Sequence, residues 1–226
     1  MLLSNLLKKS LDTATLECWE RERTATPVRA FAVRLHATGC SLRKTKAILA
    51  LLGVKRSHQA IFQWFHRVSD NASNPPSAAP TRVTVDETAV KINGEWSWVY
   101  AAIDTETKLL LDVNVFDRHG TDQAAAFLSG LAEKHDLSDT VFLVDGYGYR
   151  TALFRIGLSG RLDYTERNLI EKWLHTLKQR IDRFHTSWVG SRPSVQRWLE
   201  QFEHYYNHQR PHQSFNNRTP VEEELN

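Results

Sequence analysis

The sequence has few of the residues that build disulfide or zinc scaffolds. Only two of its 226 residues are cysteine, Cys18 and Cys40, and they form no Cys-x-x-Cys pair. A disulfide framework is therefore excluded, and neither cysteine nor histidine spacing favours a zinc site. It also lacks a run of about 18 apolar residues, so we expect no membrane-spanning helix. Met1–Lys9 lacks the order of a signal peptide, which predicts a cytoplasmic protein.

Acidic residues are missing from one long interval. None occurs between Glu22 and Asp70, whereas eight Arg and Lys residues lie from Arg29 to Arg67. The net charge of +3 hides this local imbalance. A local positive field favours a polyanionic partner such as nucleic acid. Apolar residues within the same interval predict that it also folds around a core: Ile48, Leu49, Leu51, Leu52, Ile61, Phe62, Trp64 and Phe65.

The basic interval has the pattern of a helix-turn-helix domain at 28–68. Apolar spacing predicts helices at Val28–Ala37, Leu42–Leu52 and His58–Val68. Gly53 lies in the turn that connects the second helix to the third, as in a helix-turn-helix. The third helix would present its first residues to the major groove, and Ile61, Phe62 and Phe65 would pack inward. The predicted DNA contacts are Arg43, Lys44, Lys46, Lys55, Arg56, Ser57, His58, Gln59 and Gln63. A small three-helix bundle that binds protein is the alternative.

The composition changes at 69–81, which contains three prolines and small residues. This composition predicts an extended, unpacked linker. We therefore expect an N-terminal arm at 1–27, the helix-turn-helix domain at 28–68, and a second domain at 82–226.

The second domain begins with strand patterns. Alternation predicts strands at Arg82–Ile92 and Trp96–Ile103 around an Asn93–Gly94 turn, and a third at Lys108–Phe116. A helix at Asp122–Lys134 precedes a buried strand at Thr140–Val144. This order predicts an α/β fold of the ribonuclease-H-like type, with a mixed sheet and flanking helices.

Three carboxylates occupy positions that suit metal binding. Asp86 lies on the first strand, on the face opposite to that of Val83 and Val85. Considered without the other acids, Asp86 is either a solvated strand-end residue or a metal ligand. Asp145 follows the buried strand directly. Glu171 lies at the edge of the apolar stripe of a helix predicted over Thr165–His185. Such acids can bind two Mg²⁺ or Mn²⁺ ions for phosphoryl transfer.

In this order the motifs resemble those of a DDE-type insertion-sequence transposase, most of all the insertion-sequence family numbered six, which is related to retroviral integrases. The matching segments are Thr84–Thr88, Leu143–Gly146, Arg167–Lys172 with Lys178 and Arg180, Tyr205–Ser214 and Arg218–Pro220. The resemblance implies two ions held by Asp86, Asp145 and Glu171, and phosphate contact by Lys178. It further implies nicking at transposon ends, attack of the freed 3′-hydroxyl on target DNA, a homodimer or larger assembly on DNA, and a place at the nucleoid of a prokaryote.

One spacing departs from the resembled family. Asp145 and Glu171 are 26 residues apart, which is shorter than that family's usual spacing. The chain is therefore either a compact variant or a decayed copy that only binds DNA, and Glu166 is an alternative third ligand. A ribonuclease-H-like nuclease without strand transfer is a further alternative, although it would need no helix-turn-helix domain.

Overall fold

The computed structural model describes residues 23–69, 75–144, 146–162, 168–182, 188 and 190–226. Most of the predicted N-terminal arm and residues 70–74 of the predicted linker lie outside these ranges. In the part of the chain that is described, no helix is both long and apolar enough to cross a membrane.

Three helices open the described chain: α1 at Thr26–Ala37, α2 at Leu42–Leu51 and α3 at His58–Ser69. Their starts follow local chemistry. Pro27 lies in the first turn of α1, where its missing N–H costs nothing. The Ser41 hydroxyl accepts a hydrogen bond from Lys44 N at 3.2 Å, and the Ser57 hydroxyl accepts one from Ala60 N at 3.1 Å. Both serines cap free backbone donors at a helix start.

The buried face of α3 differs from the predicted one. Ile61, Trp64 and Phe65 are buried, as expected of core residues, but Phe62 is 36% exposed. Helical geometry turns each residue by about 100°, so Phe62 lies beside the inward stripe and not in it. The Phe62 ring packs against His66, with centroids 4.0 Å apart. Two further residues predicted for the core are also exposed, Leu51 and Leu52.

A five-stranded sheet comes next in the chain: β1 at Arg82–Ile92, β2 at Glu95–Asp104, β3 at Leu110–Phe116, β4 at Val141–Val144 and β5 at Gly160–Leu162. Its strand order is β3-β2-β1-β4-β5. β1, β2 and β3 form an antiparallel meander, whereas β4 pairs in parallel with both β1 and β5. This mixed sheet with flanking helices is the ribonuclease-H-like arrangement that the element order predicted.

Helices cover both faces of the sheet. On one face, Val83 and Val85 pack against α4 at Thr121–Lys134 and α5 at Tyr147–Arg155. On the other face, Val90 and Ile92 pack against α6 at Asn168–Asp182 and α7 at Arg192–His208. Alternate residues of β1 therefore face different helical layers, as strand geometry requires.

Side chains of α7 satisfy the free edge of β3. The Gln196 side chain accepts a hydrogen bond from Val115 N at 3.0 Å and donates one to Val113 O at 2.9 Å. The Asn207 side chain makes the same pair of bonds to the backbone of Leu110, at 2.9 and 2.8 Å. These amides pair edge groups that would otherwise attract another strand. A 3₁₀ turn at Gln213–Phe215 and a short helix, α8 at Pro220–Glu224, end the chain.

The N-terminal helices pack against α7. Buried residues of α1 and α3 belong to the same apolar cluster as those of α6 and α7. The Trp198 indole Nε1 donates a hydrogen bond to His36 O at 3.4 Å, and the Trp198 ring stacks on Phe202 with centroids 5.4 Å apart. One continuous core therefore joins the helical segment to the sheet.

The second half of the predicted linker is packed, contrary to expectation. Ala78 is buried, its N–H donates to His135 Nδ1 at 3.2 Å, and its carbonyl accepts from Asp136 N at 3.0 Å. The Pro80 carbonyl accepts from the Thr140 hydroxyl at 2.6 Å. The prolines fix an extended chain here, and that chain binds the loop between α4 and β4.

Candidate active site

Asp86 lies in the middle of β1 and not at a strand end. Its side chain is half-buried and its Oδ1 accepts a hydrogen bond from Glu87 N at 2.9 Å. Asp86 belongs to the same alternating set as Val90 and Ile92, so it lies on the face covered by α6 and α7. The interpretation of Asp86 as a solvated strand-end residue is therefore wrong, because β1 continues for six residues beyond it.

Two buried threonines flank Asp86 on the same face. Thr84 and Thr88 are 0% and 5% exposed, and neither hydroxyl has a hydrogen-bond partner among the described residues. A buried hydroxyl without a partner is unfavourable. Asp86 is thus placed between two buried polar groups whose hydrogen bonds the described part of the chain does not provide.

Glu171 lies in the first turn of α6. Four residues of this helix, Ile170, Trp173, Leu174 and Leu177, are buried against the sheet. The Glu171 side chain is exposed beside this stripe, and Lys178 is exposed two turns later on the same flank. The structure therefore brings the helix of Glu171 to the face of the sheet that carries Asp86.

Asp145 lies outside the described residues, as do Glu166 and the side chain of Arg180. The elements around Asp145 are described. β4 ends at Val144 and α5 begins at Tyr147. β4 pairs with β1 over three residue pairs, of which the last joins Thr84 to Leu143.

Tyr149 and Glu87 form a contact that the sequence analysis missed. The Tyr149 hydroxyl donates a hydrogen bond to Glu87 Oε2. Burial raises the pKa of Tyr149 well above its usual value, and the charges of Glu87 and Asp86 add to this shift. The start of α5 is thus close enough to both carboxylates for their charges to affect the Tyr149 hydroxyl. The signal was the second acid of the Asp86–Glu87 pair, which strand alternation directs to the opposite face.

The predicted DNA contacts lie mainly on the surface of α2 and α3. Exposed members of this set are Arg43, Lys44, Lys46, Lys55, Ser57, His58, Gln59 and Gln63. Arg56 is half-buried, and its Nε donates to the Thr24 hydroxyl at 2.6 Å. Arg29, which the sequence analysis counted in the basic field, is only 3% exposed. The surface field is therefore slightly smaller than the sequence indicated.

Residues 80–218 match the family model of the DDE domain of IS240-type transposases. The chain belongs to this DDE family. The matched span contains Asp86, Asp145 and Glu171, and it runs from the packed end of the linker to the segment before α8.

Other proteins resemble this DDE chain more distantly. An uncharacterized protein of Methanocaldococcus jannaschii is 23% identical over 192 residues, which cover 84% of this chain and 89% of that protein. The simian T-cell lymphotropic virus intasome, solved with the PP2A regulatory subunit B56 gamma, matches with 14% identity and a TM-score of 0.49, covering 86% of this chain and 74% of that one. The HTLV-2 integrase catalytic core domain, solved with magnesium, matches with 11% identity and a TM-score of 0.46, covering 66% and 99%.

The three predicted metal ligands, Asp86, Asp145 and Glu171, would offer carboxylate oxygens, which are the ligands that Mg²⁺ and Mn²⁺ favour. Within the described ranges, no group of three or more His, Cys, Asp and Glu side chains is arranged to hold a metal ion. This statement does not extend to the predicted triad of Asp86, Asp145 and Glu171, because Asp145 lies outside the described residues. His204 and His208 stack with ring centroids 4.6 Å apart, but α7 ends at His208. The spacing of His204, His208 and His212 by four residues would suit a metal ion only on a continuous helix, and His212 lies beyond the end of α7.

Proposed function

We propose that this chain is a transposase that binds the ends of an insertion sequence and catalyses metal-dependent DNA cleavage and strand transfer. The observation that carries the proposal is the DDE-domain match over residues 80–218, because this span contains all three acids. The placement of Asp86 and α6 on one face of the sheet supports a joint role for Asp86 and Glu171. Membership in the insertion-sequence family numbered six is part of the proposal.

In this proposal Asp86, Asp145 and Glu171 hold two divalent ions, Mg²⁺ or Mn²⁺. Asp145 follows Val144 by one peptide unit, and β4 runs parallel to β1 at its side, which supports a position near Asp86. The ions would activate the attacking oxygen and stabilise the leaving oxygen. Lys178, on the flank of Glu171, would hold a DNA phosphate.

The N-terminal helices would recognise the element's ends. His58, Gln59 and Gln63 lie exposed on α3, and glutamine side chains can hydrogen-bond to adenine edges in the major groove. The exposed Arg43, Lys44 and Lys46 of α2, with Arg180 of α6, would contact phosphates. The division into a helix-turn-helix domain at 28–68 and a catalytic domain at 82–226 belongs to this proposal. Joining two ends implies a homodimer or a larger assembly on DNA.

The second candidate function is DNA binding without catalysis. The spacing of 26 residues between Asp145 and Glu171 favours it, because a deletion between two ligands would displace the second one. A copy of this kind would keep the exposed basic residues of α2 and α3.

A strand-transfer assay on the element's own ends, with Mg²⁺ or Mn²⁺, tests the proposal. We expect Asp86→Ala, Asp145→Ala and Glu171→Ala each to lose joining while end binding in a mobility-shift assay persists. The matched control is Glu166→Ala, which should keep joining. Retained joining in Glu171→Ala together with its loss in Glu166→Ala would move the third ligand to Glu166. End binding by the wild type without any joining would replace the proposal with the non-catalytic function.

A further inference from the structure

A cleft of about 550 Å³ lies on the side of α6 that faces the C-terminal segment. Its walls are formed by the first residue of β1, the turn between β2 and β3, α6, and the residues after α7. The segment Asn207–Ser214 thus contributes Arg210 and His212 to a concave site.

The described walls of the cleft carry positive charge and no carboxylate. Four cationic side chains line it, those of Arg82, Lys108, Lys172 and Arg210. Only Arg82 has a carboxylate near it, Glu106 at 3.7 Å, among the ion pairs of the described residues. The remaining three positive charges are not neutralised within that part of the chain. Desolvating them would be costly, so an anionic ligand is the partner that suits this surface.

Aromatic rings hold two of these cations in place. Lys108 Nζ lies 4.5 Å from the centroid of the Phe215 ring, and the Arg210 guanidinium lies 5.5 Å from that of Tyr206. Such contacts orient a cation without cancelling its charge. The two cations are therefore ordered before any ligand arrives, which lowers the entropic cost of binding one.

Two wall residues also carry nitrogen atoms that have no hydrogen-bond partner in the described part of the chain. Trp173 is 3% exposed, and its Nε1 lacks a hydrogen-bond acceptor among the described residues, as does Nε2 of His212. Burial and then the charges of Arg210 and Lys108 lower the pKa of His212 to about 4. An anion in the cleft would oppose the effect of these charges and offer an acceptor to nearby N–H groups.

The cleft is separate from the carboxylate side of α6. Asn168, Lys172 and Thr176 line it at helical spacing of four. Glu171 and Lys178 follow a different line, turned by about 100° around the helix axis from Lys172, since each residue turns the helix by about 100°. A ligand in the cleft would therefore contact a different side of α6 from the one that carries Glu171.

We propose that this cleft binds the sugar–phosphate backbone of a DNA duplex, independently of base sequence, at a position distinct from the carboxylate site. The choice of DNA as the anion rests on the proposed function. The cleft is wide, its charges are spread over four chain segments, and cations of this kind bind phosphates without reading bases.

The test measures binding of a random-sequence duplex to the full chain in EDTA, by fluorescence anisotropy over a range of salt concentrations. Lys172→Glu and Arg210→Glu are compared with Arg155→Glu, which makes the same charge change on α5, behind the opposite face of the sheet. Arg155 is an exposed partner of Asp122 at 2.8 Å, so its loss costs little stability. Circular dichroism confirms that each variant is folded.

We expect Lys172→Glu and Arg210→Glu to lose about tenfold or more in affinity, with a log–log salt slope smaller by about 1, and Arg155→Glu to lose less than about twofold. Equal effects of the three variants would overturn the proposal, because they would reflect net charge alone. Displacement of the duplex by inorganic phosphate at matched ionic strength would also overturn it, since it would indicate a small-anion site. Because no metal or joining is involved, the result stands even where strand transfer fails.

Discussion

Glu203 is a carboxylic acid in the core of the molecule. It lies on α7 and is 7% exposed, and its Oε1 has no hydrogen-bond partner among the described residues. The nearby cation, Lys134, already binds Asp112, with Nζ 2.9 Å from Oδ2. Burial, and then the charge of Asp112, raise the pKa of Glu203 well above its usual value. The protonated form is therefore the one that the folded state favours.

Replacing this acid by its amide changes the pH dependence of stability. Above the usual glutamate pKa of about 4.3, the folded protein binds more protons at Glu203 than the unfolded chain does, so stability falls as pH rises. We expect Glu203→Gln to remove this loss, with a gain over wild type that grows by up to about 1.4 kcal/mol per pH unit until the raised pKa is passed. Urea unfolding from about pH 5 to about pH 8 measures it.

The matched control for Glu203 is Glu95→Gln at an exposed position. It should leave the slope of stability against pH unchanged. A parallel response of Glu203→Gln and wild type would show that Glu203 is charged in the folded protein.

At the scale of elements, strong local signals predicted most of the fold. The turn Asn93–Gly94 has φ values of 51° and 85°, which are those the hairpin pattern requires. β1 has the predicted bounds, and α6 has the predicted buried stripe. The packing of Ala78 and the contact between Tyr149 and Glu87 join residues 57 and 62 positions apart. No local period encodes such pairs, so the sequence could not predict them.

The candidate site was predictable to the same extent. Alternation along β1 placed Asp86 on the face of the sheet opposite to that of Val83 and Val85, and the structure agrees. Alternation alone could not tell that β4 stops pairing with β1 at Leu143, because the length of a strand pair depends on tertiary contacts with neighbouring elements. The basic cleft was missed because its cations come from four separate segments, none of which is unusual alone.

A buried histidine in the contact between α1 and α7 makes the stability of this contact depend on pH. His36 is 6% exposed, and its Nδ1 lies 2.8 Å from Cys40 O. Burial lowers the pKa of His36 to about 4, and the charge of His66 contributes to this. The folded state thus favours neutral His36, while the unfolded chain takes up its proton at about pH 6.5.

Stability should therefore fall as pH drops from about 6.5 to about 4, because the unfolded state binds more protons in that window. We expect His36→Gln to lower this slope by up to about 1.4 kcal/mol per pH unit. Urea midpoints across the window measure it. His58→Gln, at an exposed position of α3, should keep the wild-type slope, and an unchanged slope in His36→Gln would contradict the prediction.

At the scale of the whole molecule, one apolar cluster joins the N-terminal helices to the sheet. Trp198 lies within it at 0% exposure and contacts Phe202 and Trp188, with ring centroids 5.4 and 5.6 Å apart. A shared core of this kind predicts that helices and sheet unfold together. The N-terminal helices therefore do not form an independently stable folding unit.

Trp198→Ala tests this coupling. Removing a buried tryptophan should cost about 3–5 kcal/mol, measured as a lower free energy of unfolding in urea. Trp96→Ala is the matched control, since Trp96 is 54% exposed, and it should cost less than about 1 kcal/mol. A small loss in Trp198→Ala would mean that the N-terminal helices are stable without α7.

The bond from Trp198 to His36 spans 162 residues of chain, and this bears on how the protein is made. Contacts between distant segments form late, because a long loop must close first. During synthesis, the apolar face of α1 and α3 emerges long before α7 exists to cover it. The growing chain therefore carries an uncovered apolar surface until α7 leaves the ribosome, which exposes it to aggregation in the meantime. Any truncation before α7 would make that exposure permanent.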